Sequence, residues 1–321
     1  MALLLDEPAW LPREVGVVRV TGQDRLHYLH QMLSQHVEQA APGDVADFLL
    51  LDAKGVAQAA GRLVVHAEAV LLLVPPEVAS SLASTLASRT FLMDAAAVDA
   101  SADLALASAR GPEPLAQPGA RDEPMTAVPH GEGLVIRDRW GGLDLLGSPP
   151  WVRERAEGLG LPQADAEDWE RWRILHGEVD WRHELATGRR PQELGLLPTH
   201  VHLRKGCYPG QESIAKMHNL GRPRRALHVV ELDGPVAVHD PITAGSSTGQ
   251  LTSVAPHGDG AVALALLPLD RQTGAVAGGG EVAVGSVPGR VRARVGAGLP
   301  QPGDPTAAGA GAPTREGARG S

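Results

Sequence analysis

The stretch Lys205-Gly206-Cys207-Tyr208-Pro209-Gly210-Gln211-Glu212 decides how this chain reads. It holds the only cysteine in 321 residues, set beside cations and between two glycines. A structural thiol is usually a small buried hydrophobe in an apolar run. This one follows Arg204 and Lys205, with Lys216, Arg222, Arg224 and Arg225 downstream. Nearby cations favour the thiolate, the form that acts as nucleophile and metal ligand. Gly206 and Gly210 allow a tight turn and a close approach.

Working outward, residues 200–228 hold six Lys or Arg against one Glu, so a positive patch sits on a chain of net charge −9. Such a patch attracts anions. The overall charge excludes general nucleic-acid binding, which calls for a basic surface. A chain of this length implies two or three domains. With 43 % hydrophobic and 21 % charged residues it reads as soluble and globular. One cysteine excludes an internal disulfide framework. It also leaves the chain without the set of thiolates that an iron–sulfur cluster ordinarily takes. The N-terminus lacks a basic start, and no apolar run approaches the roughly 20 residues of a spanning helix. A cytoplasmic location, with no membrane partner, is therefore expected.

Along the chain, Val15 to Val20 predicts a strand. Asp24 predicts the cap of a helix with Leu26, Leu29 and Leu33 on one face. Strands are expected at Phe48–Leu51, Gly61–His66, Val70–Val74 and Leu104–Ala109, and a helix from Pro76 to about Ser88. Gly111 to Gly133 reads as a loop. A second helical region starts near Asp165, carries Trp169, Trp172 and His176 on one face and ends at Gly177. After Leu227 the pattern changes to short Val- and Leu-rich runs at Leu227–Leu232, Thr248–Val254, Ala261–Leu267, Glu281–Val287 and Val291–Val295. Strands at that spacing indicate a small barrel or sandwich. Gly298 to Ser321 has no periodicity and reads as a disordered tail.

The octapeptide, continued by Ser213-Ile214-Ala215-Lys216 and by Gly221-Arg222-Pro223-Arg224-Arg225-Ala226-Leu227, resembles the signature of the YgfZ family. These are folate-binding relatives of the glycine cleavage T-protein. The resemblance extends more weakly from about Val15 to about Val295. It implies an α+β fold: two α+β domains around a central channel, plus a C-terminal β-barrel. The expected division is a folate-binding region over 1–225, with its second subdomain inserted at about 46–150. The barrel follows over 226–297 and the tail over 298–321. The implied function is assembly or repair of iron–sulfur proteins, with a link to tRNA modification. The implied cofactor is tetrahydrofolate or another reduced folate, and the implied partners are iron–sulfur client or assembly proteins. Cys207 is the implied essential thiol. Lys205, Tyr208, Gly210, Gln211, Glu212 and Arg173 are the expected cofactor contacts.

Two segments depart from the family pattern. Leu29 to Val37 reads Leu-His-Gln-Met-Leu-Ser-Gln-His-Val where relatives have L-Q-G-Q-x-T-x-D-V, so His36 replaces an aspartate. Arg173-Ile174-Leu175-His176-Gly177 aligns with R-x-E-x-G of aminomethyltransferases, whose Glu is expected to hold the pterin. Leu175 can make no such bond. A tetrahydrofolate-dependent aminomethyltransferase is therefore the alternative, and a thiol or metal carrier a further one. His200, His202, Cys207 and His218 are ligand types that zinc accepts, but their spacing is no established zinc pattern, and no dedicated metal site is expected.

Overall fold

The computed structural model describes residues 3–116, 123–220 and 223–299. Its first sheet is antiparallel, with strand order Val45–Leu51, Ala57–Val65, Val70–Val74, Gly16–Thr21, Ala96–Asp99. Successive side chains of a strand point to opposite faces. Val18 and Val20 accordingly pack with Leu29, Phe48, Leu72 and Leu82 under the helices Arg25–Met32 and Pro76–Ala87. Val17, on the other face, packs with Val45, Val64, Leu71 and Leu73 against Ala127, Leu134, Ile136 and Leu146 of a second sheet. Each face of the first sheet is thus buried by a different layer. Asp24 precedes the first helix as expected but does not cap it through its side chain. Its Oδ2 instead accepts from the Asp94 amide at 2.8 Å, which fastens the loop before the edge strand.

The second sheet runs Ala9–Arg13, Ala105–Arg110, Leu143–Gly147, Gly133–Arg137, Thr126–His130. This pairing groups the chain differently from the expected 46–150 insertion. The strands over 45–99 share a sheet with Gly16–Thr21, which pairs with Val70–Val74 and Ala96–Asp99, and the strands from Ala105 onward join Ala9–Arg13. The expected loop over 111–133 holds the strand Thr126–His130, paired to Gly133–Arg137 through a turn at Gly131 with φ +58°. Pro129 and the two nearby glycines hide that strand in the sequence. The strand tolerates its proline because it lies at the sheet edge.

The helix Ala166–Leu175 starts at Asp165, whose side chain accepts from the Asp168 amide in a reciprocal capping box. It ends before Gly177, at φ +65°. Trp169 and Trp172 are buried and stack at 5.1 Å, so both serve packing. Six antiparallel strands then close a barrel: Arg225–Leu232, Gly260–Pro268, Ser247–His257, Pro241–Ala244, Glu281–Val284, Val287–Arg294. The expected strand Glu281–Val287 is broken by Gly285, whose φ of +58° makes a turn. Leu227, Val229, Val262 and Leu264 of the barrel pack against Leu49 and Leu51 of the first sheet and against Ile174, Leu185 and Ile214. The last strand returns to the body at Gly195, where an added Cβ would sit 2.2 Å from the Val295 carbonyl oxygen. Gly296 approaches the Gly195 carbonyl equally closely.

The α+β architecture with a C-terminal barrel is therefore the one expected. Of the expected tail, residues 300–321 lie outside the described residues. Among the described residues, no helix is long and apolar enough to cross a membrane.

Candidate functional site

The octapeptide forms one loop that leads into the helix Gln211–Leu220. Lys205 anchors it. The side chain is buried, and its Nζ donates to the carbonyl oxygens of His30 and Leu33, the latter at 2.5 Å. Those carbonyls end the helix Arg25–Met32, where the helix dipole is negative. Burial pushes the Lys205 ammonium down to about 8, against the opposing pull of Cys207 and Glu38. The same Nζ lies 4.8 Å over the Tyr208 ring. Tyr208 is buried in the shared core, and burial pushes its hydroxyl up to about 12. It is a packing residue with one face on a cation.

Between these two buried anchors the Cys207 thiol is exposed. Gly206 does not owe its place to close approach, since an added Cβ would lie 3.8 Å from its nearest neighbour, His30 Nε2. Gly210 does. Its φ is +80°, and an added Cβ would meet the Asp52 carbonyl oxygen at 2.5 Å and Leu51 Cβ at 2.9 Å. The turn Asp52-Ala53-Lys54-Gly55 thereby sets the start of the helix that carries Gln211 and exposed Glu212. Gly210→Ala is expected to cost more than about 2 kcal/mol, from the left-handed backbone together with a contact against rigid main chain. Thermal melting checks this, and an unchanged midpoint would contradict the contact.

Lys205, Cys207, Tyr208, Gly210, Gln211 and Glu212 thus belong to one unit, but Arg173 does not join it. Its guanidinium bonds Glu170 Oε2 at 2.7 Å, Ser253 Oγ at 2.7 Å and the Glu178 carbonyl at 3.0 Å. Ser253 in turn donates to Glu184, and Arg173 is only 3 % exposed. These partners leave the side chain tying its helix to the barrel.

Two groups that the sequence did not single out do stand ready for a ligand. The Arg13 guanidinium stacks on the Trp169 ring at 3.4 Å and has no hydrogen-bond or ion-pair partner among the described residues. Burial lowers it to about 10, with Glu178 the main opposing influence. Glu178 Oε2 is buried and likewise lacks a hydrogen-bond partner. Beside them His176 stacks on Trp172 at 4.2 Å, and Trp140 meets both rings edge-on. His176 is exposed, yet burial is the main cause of its lowered pKa.

Arg139 and Arg62, paired to Asp47, carry this positive interior on to His200. Burial and those two charges push the His200 ring down to about 3. From His200 the chain runs outward to the exposed thiol seven residues later. His200 ends a short helix and is not on a strand with His202, so the two do not share a strand face.

No family model matches the chain. It is similar to a putative chloroplastic transferase of Arabidopsis thaliana, 28 % identical over 264 residues, covering 74 % of this chain and 59 % of that protein. A shorter region is similar to the mitochondrial iron–sulfur cluster assembly factor IBA57 of Mus musculus, 34 % identical over 109 residues, or 32 % of this chain and 30 % of that protein. The chain thus spans less than two thirds of either relative. Among solved structures, the glycine cleavage system aminomethyltransferase T of Bartonella henselae superposes with a TM-score of 0.75. That likeness covers 93 % of this chain and 88 % of the other, at 15 % sequence identity. Two antiparallel sheets, a linking helical segment and a closed barrel make this a protein with the glycine cleavage T-protein fold.

Proposed function

We propose that this protein is a YgfZ-type folate-binding factor that supports the assembly or repair of iron–sulfur proteins, with Cys207 as its essential thiol. The observation that carries the folate reading is the buried Glu178 Oε2, which has no hydrogen-bond partner, together with the Arg13 guanidinium, whose charge Glu178 influences most among its neighbours. Leaving a buried polar group unpaired costs about 1–3 kcal/mol. A ligand that repays this must offer an anionic or acceptor group to the guanidinium and an N–H donor to the carboxylate. It must also have a flat ring for the aromatic neighbours Trp140 and His176. Reduced folates have all three. Glu178 offers a carboxylate three residues beyond Leu175, which packs against apolar neighbours and has no acceptor. The similarity to IBA57, whose name places it in iron–sulfur cluster assembly, supports the client class. The exposed thiol on an anchored loop supports a role for Cys207 in the chemistry.

Calorimetric titration with tetrahydrofolate tests the folate reading. Binding is expected in the wild type, to weaken at least about tenfold in Glu178→Gln, as for loss of one charged hydrogen bond, and to survive in Cys207→Ala. Added salt should weaken it further through screening of the folate carboxylates. No binding at high folate concentration, or unchanged affinity in Glu178→Gln, would refute it. The transferase reading, favoured by the chloroplastic relative's name, predicts one-carbon transfer from an aminomethyl donor to tetrahydrofolate. An assay of the purified protein separates the two.

A further inference from the structure

The helix Gln211–Leu220 buries Ile214 against the body and leaves Glu212, Lys216, His218 and Asn219 exposed. Its ten residues, at about 1.5 Å each, make that outer side roughly 15 Å long. At its start, the turn Asp52-Ala53-Lys54-Gly55 packs on the first helical turn, where an added Cβ on Gly55 would meet Ser213 Cβ at 2.8 Å. Lys54 is exposed in that turn. At its far end, His218 and Asn219 line one cleft with Arg224 and Arg271, which are both exposed. Exposed Arg204 stands in the same loop as the exposed Cys207 thiol, and that loop leads into the helix.

Lys54, Arg204, Lys216, Arg224 and Arg271 have no ion-pair partner among the described residues. Exposed arginines on other faces do have one: Arg182 pairs with Glu77 at 2.6 Å and Arg290 with Glu231 at 2.7 Å. The carboxylates beside the row are engaged by their own turns. Asp52 Oδ1 accepts from the Lys54 and Val56 amides, and Asp270 Oδ1 accepts from the Gln272 and Thr273 amides. Glu212 precedes Lys216 by one helical turn, a spacing that permits a pair, yet no ion pair forms between them. Across the chain, Asp and Glu outnumber Lys and Arg by 38 to 29. A row of unneutralised cations on such a chain attracts what the acidic remainder repels, and so orients an incoming anionic partner.

We infer that this basic face docks an acidic surface of the protein's iron–sulfur partner and brings that partner to Cys207. A row along a whole helix is longer than one small anion can span, and it suits a polypeptide face. Nucleic acid would meet the repulsion of the net charge of −9 wherever it extended past the row. The inference rests on the functional reading for the working thiol and for the partner class, and it draws nothing from the folate part.

The test uses the full chain and three peptides of equal length, flanked by Glu, Gln or Lys, whose single cysteine is held as a mixed disulfide with thionitrobenzoate. The Cys207 thiolate attacks the peptide sulfur, a protein–peptide disulfide forms, and the coloured thionitrobenzoate thiolate leaves, so one S–S bond is made for one broken. Cys207 is the only cysteine, so the colour reports it alone. At low salt the Glu peptide is expected to react at least about tenfold faster than the Gln peptide, with the Lys peptide slowest. Salt near roughly 1 M should remove the difference. Lys216→Glu, Arg224→Glu and Arg271→Glu should each slow the Glu peptide severalfold. Arg153→Glu, the same charge change on the helix Pro149–Glu157, should alter it by less than about twofold. Circular dichroism checks folding, and Gln at the same positions replaces any variant that fails to fold. Equal rates for the Glu and Gln peptides, or an Arg153→Glu effect as large as those of the face variants, would overturn the proposal. A transfer RNA that shields the thiol while the Glu peptide gains no rate would overturn it too, and would assign the face to nucleic acid. None of these outcomes bears on the folate titration, and a failed titration would leave the docking face standing.

Discussion

A Cys207→Ala variant is expected to fold as the wild type does and to fail completely in function. The thiol is exposed, so its removal leaves no cavity in the core, and the stability change should stay within about 0.5 kcal/mol. The anchors on either side, Lys205 against the helix end and Tyr208 in the core, do not depend on the sulfur. The measurement is rescue of a deletion strain, scored by the activity of an iron–sulfur enzyme, with melting recorded in parallel. Full rescue by the alanine variant would sink the proposed role of the thiol. Loss of rescue accompanied by a large fall in melting temperature would instead mean that the residue serves the fold.

The second large effect is on stability. Asp144 is buried and accepts from Arg62 Nη1 at 2.8 Å, Arg110 Nη2 at 2.9 Å and Ser108 Oγ at 2.7 Å. Burial pushes its carboxyl up, but the charges of Arg110 and Arg62 outweigh this and hold it below the usual range. Arg110 pairs further with Asp138 at 2.8 Å, and Arg62 with Asp47 at 3.2 Å. Removing one partner of such a buried set leaves charge uncompensated and costs about 3–5 kcal/mol. Asp144→Ala should therefore lower the melting temperature by roughly 10 °C. Asp144→Asn should fall between the two, since its side-chain oxygen can still accept. A wild-type melting point for Asp144→Ala would show that the remaining carboxylates carry the guanidinium charges without it.

The parts of the molecule legible in the sequence are those where local rules and burial agree. The alternation of Val15 to Val20, the Pro76 helix start, the helix start near Asp165 and the Gly177 stop all hold because each is set within a few residues. The strand Thr126–His130 was hidden because its proline and flanking glycines are turn residues in composition, and only its partner Gly133–Arg137 makes it a strand. The grouping of strands into sheets was hidden for a similar reason. Ala9–Arg13 pairs with residues about a hundred positions away, which no local pattern reveals.

The same division runs through the site. The octapeptide stood out by composition, and Gly210 is needed where the motif has it. Arg173 looked available as a charged residue next to a family landmark, but Glu170 and Ser253 claim it. Arg13 gave no signal at all. Its significance lies in what it lacks, and an absent partner becomes visible only when the fold has placed every other side chain.

The seam at Gly195, Val295 and Gly296 also governs how the chain can be made. The barrel closes only when Val287–Arg294 pairs with Arg225–Leu232, and Val295 then donates its amide to the Leu227 carbonyl at 2.9 Å. A nascent chain leaving the ribosome has its two sheets complete long before it has these last residues. Until they emerge, the barrel residues Leu227, Val229 and Leu264, and the face of the body they will cover, have no mutual shelter. Exposed apolar surface of that kind invites aggregation and chaperone capture. Messages cut short before codon 295 should therefore yield products cleared by proteolysis, however intact their two sheets.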